Sequence, residues 1–179
     1  QELIERFSLE AVNHSAAKFD ITKCRWVNQQ HIIALPPEEF AAKARPFCLQ
    51  AGLPDSGILN EAIATVQTKV QTLAEVPDKI RFFFHLSMDP EALAKVQPEA
   101  VELLSKLADR LEREPVWDGH ELIGVLKAFA KENGVKMGAV MFPARVALTG
   151  LSGGPDLSAV FSLLGKEESL KRIRAFSLN

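Results

Sequence analysis

The sequence predicts an all-α protein. Apolar residues recur at helical spacing along nearly the whole chain, strand-type alternation is short or absent, and Tyr is missing while Val, Ile and Thr do not gather into runs. A chain of 179 residues, 47% of them hydrophobic, is long enough to bury one good core or two small ones.

The first expected element is a short helix through Glu2, Leu3, Ile4 and Phe7. Asp20 then caps a helix with Ile21, Cys24, Val27, Asn28, His31 and Ile32 on one face and Trp26 on the other. Pro36-Pro37 ends it. Pro37 also opens the next helix, where proline sacrifices no hydrogen bond and Glu38 and Glu39 meet the positive end of the dipole. Its stripe is Phe40, Ala44, Phe47 and Cys48; Pro46 is expected to kink it and Gly52 to close it. From Asp55, the spacing of Ile58, Leu59, Ala62, Ile63, Val66, Val70 and Leu73 predicts one longer helix. Pro77 restarts the chain into a buried turn through Ile80, Phe82, Phe83 and Phe84.

The stretch from His85 to Pro98, which contains Asp89-Pro90, reads as a domain or subdomain boundary. Pro98 and Glu99 lead a helix with Val101, Leu104, Leu107 and Leu111. Asp118 and Glu121 resemble a capping box before Leu122, Val125, Leu126 and Phe129, and Gly134 stops that helix. Two more helices flank the segment Gly150 to Pro155. A last one, after Gly165, sets Leu170, Ile173 and Phe176 against Lys171, Arg172 and Arg174. There is no internal repeat, low-complexity tract or heptad run.

The formal net charge of -2 argues against indiscriminate polyanion binding, because that affinity follows the phosphates that Lys and Arg neutralise. An RNA partner remains allowed if the basic residues gather on one face. Cys24 and Cys48 form no CxxC and no metal-ligand spacing with the four histidines, so both read as core packing in a reduced, cytoplasmic protein. No apolar run approaches the roughly 20 residues of a membrane span, and no signal sequence opens the chain. The chain starts at Gln1 without an initiator Met, which leads us to expect a fragment of a longer protein.

Catalytic chemistry is not visible. No nucleophile with its base, carboxylate pair, phosphate loop or metal set stands out. Gly150 to Gly154 is glycine-rich, but no strand precedes it and the Lys-Ser/Thr ending of a P-loop is missing. His14, His31, His85 and His120 lack partners at ligand spacing, and Glu38-Glu39 and Glu167-Glu168 sit in first helical turns, where the dipole explains them. What remains is Gly153-Gly154-Pro155, which feeds a helix N-terminus. Small residues there let a base or phosphate approach free main-chain N–H groups; an ordinary helix connection is the competing reading.

Several segments match one pattern in order. Glu2-Leu3-Ile4-Glu5-Arg6-Phe7, Ser15-Ala16-Ala17-Lys18-Phe19-Asp20 and Lys23 to Ile32 around Trp26-Val27-Asn28 are followed by Gly134-Val135-Lys136-Met137-Gly138. Pro143-Ala144-Arg145-Val146-Ala147-Leu148-Thr149-Gly150, Gly154-Pro155 and Leu163-Leu164-Gly165-Lys166-Glu167 complete the set. Together they resemble the bacterial-type glutamyl-tRNA synthetases, over essentially the whole chain. Cys24 and Val27 stand where that family has Leu, and His31 where it has Tyr.

The resemblance implies a class I aminoacyl-tRNA synthetase fragment: the tail of the stem-contact domain in residues 1–35, then two helical anticodon-binding subdomains, residues 36–86 and 87–179. It implies that the full-length enzyme ligates glutamate to tRNA(Glu) with ATP and Mg. This fragment has neither a His-Ile-Gly-His-type motif nor a Lys-Met-Ser-Lys-type loop, so no catalytic residue, metal or cofactor of its own is expected. The implied partner is the anticodon arm of tRNA(Glu), with no DNA or membrane partner, and the chain is expected to be a monomer. Carried over by position, the anticodon contacts are Arg145, Gly154, Pro155 and Leu157, with Arg145 bonding to or stacking on one base and the loop and Leu157 cradling another. Lys69 occupies a position where family members that separate glutamate from glutamine anticodons often carry Arg. A solvated Lys69 and a helix-surface ion pair at Arg145 are the competing accounts. Two rival functions stay open: a stand-alone helical protein-interaction module with an exposed stripe at Phe82–Phe84 or Leu163–Leu164, and a small enzyme with a pocket of convergent ionisable groups.

Overall fold

The carboxylate of Asp20 accepts hydrogen bonds from the N–H groups of Thr22 and Lys23 at 2.9 and 3.1 Å, and α1 (Ile21–Ala34) starts there. The computed structural model describes residues 18–178 together with Glu5, Phe7 and Ser8. The expected opening helix through Glu2, Leu3 and Ile4, the segment Ser15 to Ala17, and His14 fall outside the described residues. Every regular element among the described residues is a helix, as the spacing predicts.

Pro37 opens α2 (Pro37–Gln50), which continues through Pro46 and ends at Gly52 with φ +78. Phe40, Ala41, Ala44 and Cys48 are buried along it, while Phe47 is not. Only Ile32 is buried on α1, and Cys24 is exposed. The expectation of core packing therefore holds for Cys48 and fails for Cys24, because nothing among the described residues covers that side of α1.

The single helix expected from Asp55 to Leu73 is broken into pieces: α3 (Leu59–Ala64), a 3-10 turn over Gln67–Lys69 and another over Leu73–Glu75. The reason is competition for the backbone. The Thr65 hydroxyl donates to the Ala62 carbonyl at 2.6 Å, and Val70 is extended at φ -119, ψ 146. Gln67 is buried, and its amide donates to the carbonyls of Ile32 and Leu35 at 2.9 and 2.8 Å, closing the C-terminus of α1. Glu75 accepts from the Gln71 N–H and the Thr72 hydroxyl. Side chains thus satisfy the groups that a helical ladder would otherwise occupy.

Pro77 lies in the first turn of α4 (Val76–Ile80), which runs into a 3-10 turn over Arg81–Phe83. Phe82 and Phe83 are buried with ring centroids 4.2 Å apart. The stretch expected to be a boundary holds a one-turn helix, α5 (Pro90–Leu93), capped by Asp89. Then come α6 (Glu99–Glu112), α7 (Gly119–Glu132), α8 (Gly138–Thr149) and α9 (Leu157–Ala175). Asp118 caps α7 by accepting from His120 and Glu121, and Gly165, at φ 73, interrupts α9.

α9 packs against α6, α7 and α8. The buried apolar residues from Ile32 to Phe176 form one cluster. Two features tie the chain on either side of His85 to the last helices. The Asp89 N–H donates to the Gly150 carbonyl at 2.9 Å, and buried Arg172 on α9 donates to the carbonyls of Phe82 and Leu148 at 2.8 and 2.7 Å.

Candidate nucleic-acid interface

The loop between α8 and α9 is fixed from below and open above. Gly150 takes φ 74 and its N–H donates to the Val146 carbonyl at 2.7 Å, ending α8. Buried Thr149 donates through its hydroxyl to the Arg145 carbonyl at 2.8 Å and accepts from the Leu151 N–H at 3.1 Å. Pro155 and Leu157 point inward, Leu157 being only 2% exposed. Just ahead of them, Gly153 and Gly154 face open space: a Cβ at either would meet nothing within 4 Å, although Gly154 has φ +149.

Two cations reach this loop from different parts of the fold. Arg145 on α8 is half-buried, and its Nη1 donates to the Pro155 carbonyl at 2.7 Å. Burial pulls its guanidinium below the ordinary arginine range while the charge of Asp156 acts the other way; it remains a cation at neutral pH. Lys69, at the end of the Gln67–Lys69 turn, places Nζ 3.7 Å from Asp156 Oδ1. All five residues expected from the sequence are therefore brought to one short loop, although they span residues 69 to 157.

The geometry changes what each can offer. Leu157 has almost no side-chain surface for a base, so direct cradling by it is not available in this arrangement; its main-chain N–H, in the first turn of α9, faces the helix N-terminus instead. Arg145 bonds to a main-chain carbonyl, which aims its fork at the loop. Sequence reasoning missed Asp156, whose only local signal was its place ahead of a helix.

The cues for the rival functions are absent from the places where they were expected. Phe82 and Phe83 are buried, and Phe84, Leu163 and Leu164 are half-buried. A cavity of about 500 Å³ lies among Val96, Ala100, Leu103, Val135, Phe142 and Pro143, and its lining is mainly apolar. Its ionisable pair Glu102–Lys106 is an exposed helix-surface ion pair, 2.7 Å long. Among the described residues no group of three or more His, Cys, Asp or Glu could hold a metal ion, and no helix is long and apolar enough to cross a membrane.

A family model described as an anticodon binding domain matches residues 39–177. This chain belongs to that family. As an anticodon-binding domain, it is 87% identical over all 179 residues to a glutamate–tRNA ligase of Akkermansia muciniphila, of which it spans 41%. It is 36% identical over 178 residues to the glutamate–tRNA ligase of Thermus thermophilus, a match covering 97% of this chain and 38% of that one. Among solved structures, a glutamate tRNA ligase from Elizabethkingia meningosepticum in complex with its amino acid superposes with a TM-score of 0.81 at 26% identity. That match takes in 96% of this chain and 35% of the other. The anticodon-binding domain described here thus spans about two fifths of the length of the curated relatives it matches.

Proposed function

We propose that this chain is the anticodon-reading part of a glutamate–tRNA ligase, and that it holds the anticodon arm of tRNA(Glu) while a catalytic part outside the chain joins glutamate to the tRNA with ATP and Mg. The observation that carries the reading is the 87% identity, along the whole chain, to one such ligase. The division into residues 1–35 as the tail of a stem-contact domain, 36–86 as a first helical subdomain and 87–179 as a second belongs to the same proposal. So do a monomeric state and a cytoplasmic location.

The reading surface consists of Lys69, Arg145, Gly154, Pro155 and Leu157. Arg145 presents a planar fork that suits a base edge or a stacked base, and Lys69 supplies a mobile point charge. Gly154 leaves room for a base beside the loop, which Pro155 and the buried Leu157 side chain hold in shape. The main-chain N–H groups that open α9 suit a phosphate or a base carbonyl. With a formal net charge of -2, affinity rests on local cations rather than on a general field.

The test is fluorescence anisotropy of the chain with a labelled tRNA(Glu) anticodon stem-loop and with loops changed at one anticodon base, at two salt concentrations. Preference for the cognate loop that survives added salt supports base reading. Equal and salt-sensitive binding to all loops would reduce the role to holding the backbone, and absence of binding would remove the anticodon arm as the partner of this chain.

A further inference from the structure

Four aspartates precede helices among the described residues, and three of them spend their carboxylates on the helix that follows. Asp20, Asp89 and Asp118 each accept from main-chain N–H groups two or three residues ahead. Asp156 stands in the same position before α9, yet makes no side-chain cap bond. Its side chain is 81% exposed. It lies between the two cations of the proposed reading surface, with Lys69 Nζ at 3.7 Å and the Arg145 guanidinium within the reach of its charge. The carboxylate is unspent where a nucleic acid would lie.

A negative charge there opposes phosphate binding. The exposed Lys69 pair does not repay that cost: such pairs contribute little, and 3.7 Å is beyond a good hydrogen bond. A carboxylate earns its place on an RNA-reading surface when it accepts a hydrogen bond from a base. The exocyclic amino group of cytosine is a donor that suits a carboxylate, whereas uracil presents a carbonyl oxygen at the same ring position, so a carboxylate repels it.

We infer that Asp156 is a specificity-determining residue of this surface, accepting a hydrogen bond from the amino group of a cytosine in the bound loop and rejecting uracil there. This rests on the anticodon-reading function proposed above. Arg145, held on the neighbouring Pro155 carbonyl, and Lys69, 3.7 Å from the carboxylate, set it among the cations that hold the RNA. The loop itself supplies the space, since Gly153 and Gly154 have no side chains to block the base.

The experiment uses the full chain and RNA stem-loops that differ only by cytosine or uracil at one anticodon position, each position in turn. The expected result is that the wild-type chain favours cytosine at one position by about tenfold, the scale of one good base contact. Asp156→Asn, whose amide both donates and accepts, brings that ratio close to one while binding to the uracil loop tightens. Lys69→Ala, which removes only a point charge, weakens binding to the cytosine and uracil loops alike and so keeps their ratio. An unchanged ratio in Asp156→Asn overturns the inference. So does a loss of the ratio in Lys69→Ala equal to that in Asp156→Asn, which would make Asp156 only a holder of Lys69. Failure of the wild-type chain to bind any loop would overturn the anticodon-reading function itself, whereas binding with an unchanged ratio overturns only the role of Asp156.

Discussion

The guanidinium of Arg172 donates a 2.8 Å hydrogen bond to the main-chain carbonyl of Phe82, ninety residues earlier in the chain. The same Nη1 bonds the Leu148 carbonyl at 2.7 Å, and Nε bonds Glu168 at 2.7 Å. One side chain, 5% exposed, thus closes the end of α8 and fastens the Arg81–Phe83 turn to α9. The proposed reading surface spans that joint, because Lys69 lies on one side of it and Arg145 on the other.

Arg172→Ala should therefore destabilise the whole chain. It strands two carbonyls and removes a buried charge from its carboxylate partner, a loss of about 3 kcal/mol, measured by urea unfolding. The Glu168 carboxyl is held below its ordinary range, first by its hydrogen bond from Arg172. The stability from this pair is present above the ordinary glutamate value of 4.5 and is lost as pH falls through the lowered folded value. Unfolding midpoints of wild type and Arg172→Ala should accordingly draw closer in acid; a constant gap from neutral pH down through that range would contradict the linkage.

Arg145→Ala should weaken binding to the cognate stem-loop by about tenfold and blur the choice among loops, on the scale of a lost base contact. Lys131, exposed near the end of α7, lies outside the reading surface, and Lys131→Ala should do neither strongly. Anisotropy titrations decide it: equal losses in the two variants would remove Arg145 from base reading. A matching thermal melt of Arg145→Ala checks that losing the bond to Pro155 has not unfolded the loop.

Glycine replacements should have opposite signs at two sites. At Gly150 a Cβ would lie 2.0 Å from the Ser87 carbonyl oxygen and the backbone has φ +74, so Gly150→Ala should cost about 3 kcal/mol or more. Gly124 sits inside α7 with open space around it, and Gly124→Ala should add roughly 0.5–1 kcal/mol by lowering the freedom of the unfolded chain. Denaturant midpoints of the two variants measure both signs.

The cysteines should separate by accessibility. Cys24 is exposed, whereas burial pushes the Cys48 thiol up and outweighs the opposing charge of Arg45. A maleimide at neutral pH should label Cys24 in the native chain and reach Cys48 only after urea is added, because the thiolate is the reactive form. Rapid native labelling of both, followed by mass spectrometry, would show that α2 opens far more readily than its packing implies.

Much of the fold is legible because helix starts and stops are local chemistry. Asp20, Pro37 and Asp118 start helices where the sequence says they should, and Gly52, Gly134 and Gly150 each take positive φ at a helix end. The segment from Asp55 to Leu73 misleads because its apolar spacing is helical while its polar groups bind elsewhere. Gln67 is taken up by carbonyls on α1, and periodicity carries no information about a partner more than thirty residues away.

The candidate site divides in the same way. Arg145, Gly154, Pro155, Leu157 and Lys69 come forward from the sequence through family resemblance, and the resemblance assigns them contacts without saying how they sit. That the chain is all-α, where most of its helices begin and end, and which family its motifs resemble can all be read before folding, because capping, proline and glycine effects act within a few residues. Packing alone turns Leu157 inward, leaves Cys24 uncovered, brings Lys69 to Asp156 across the fold, and lets Arg172 fasten the Arg81–Phe83 turn to α9. Those outcomes depend on which distant groups compete for the same buried space and the same hydrogen bonds, and that competition exists only once the helices have packed.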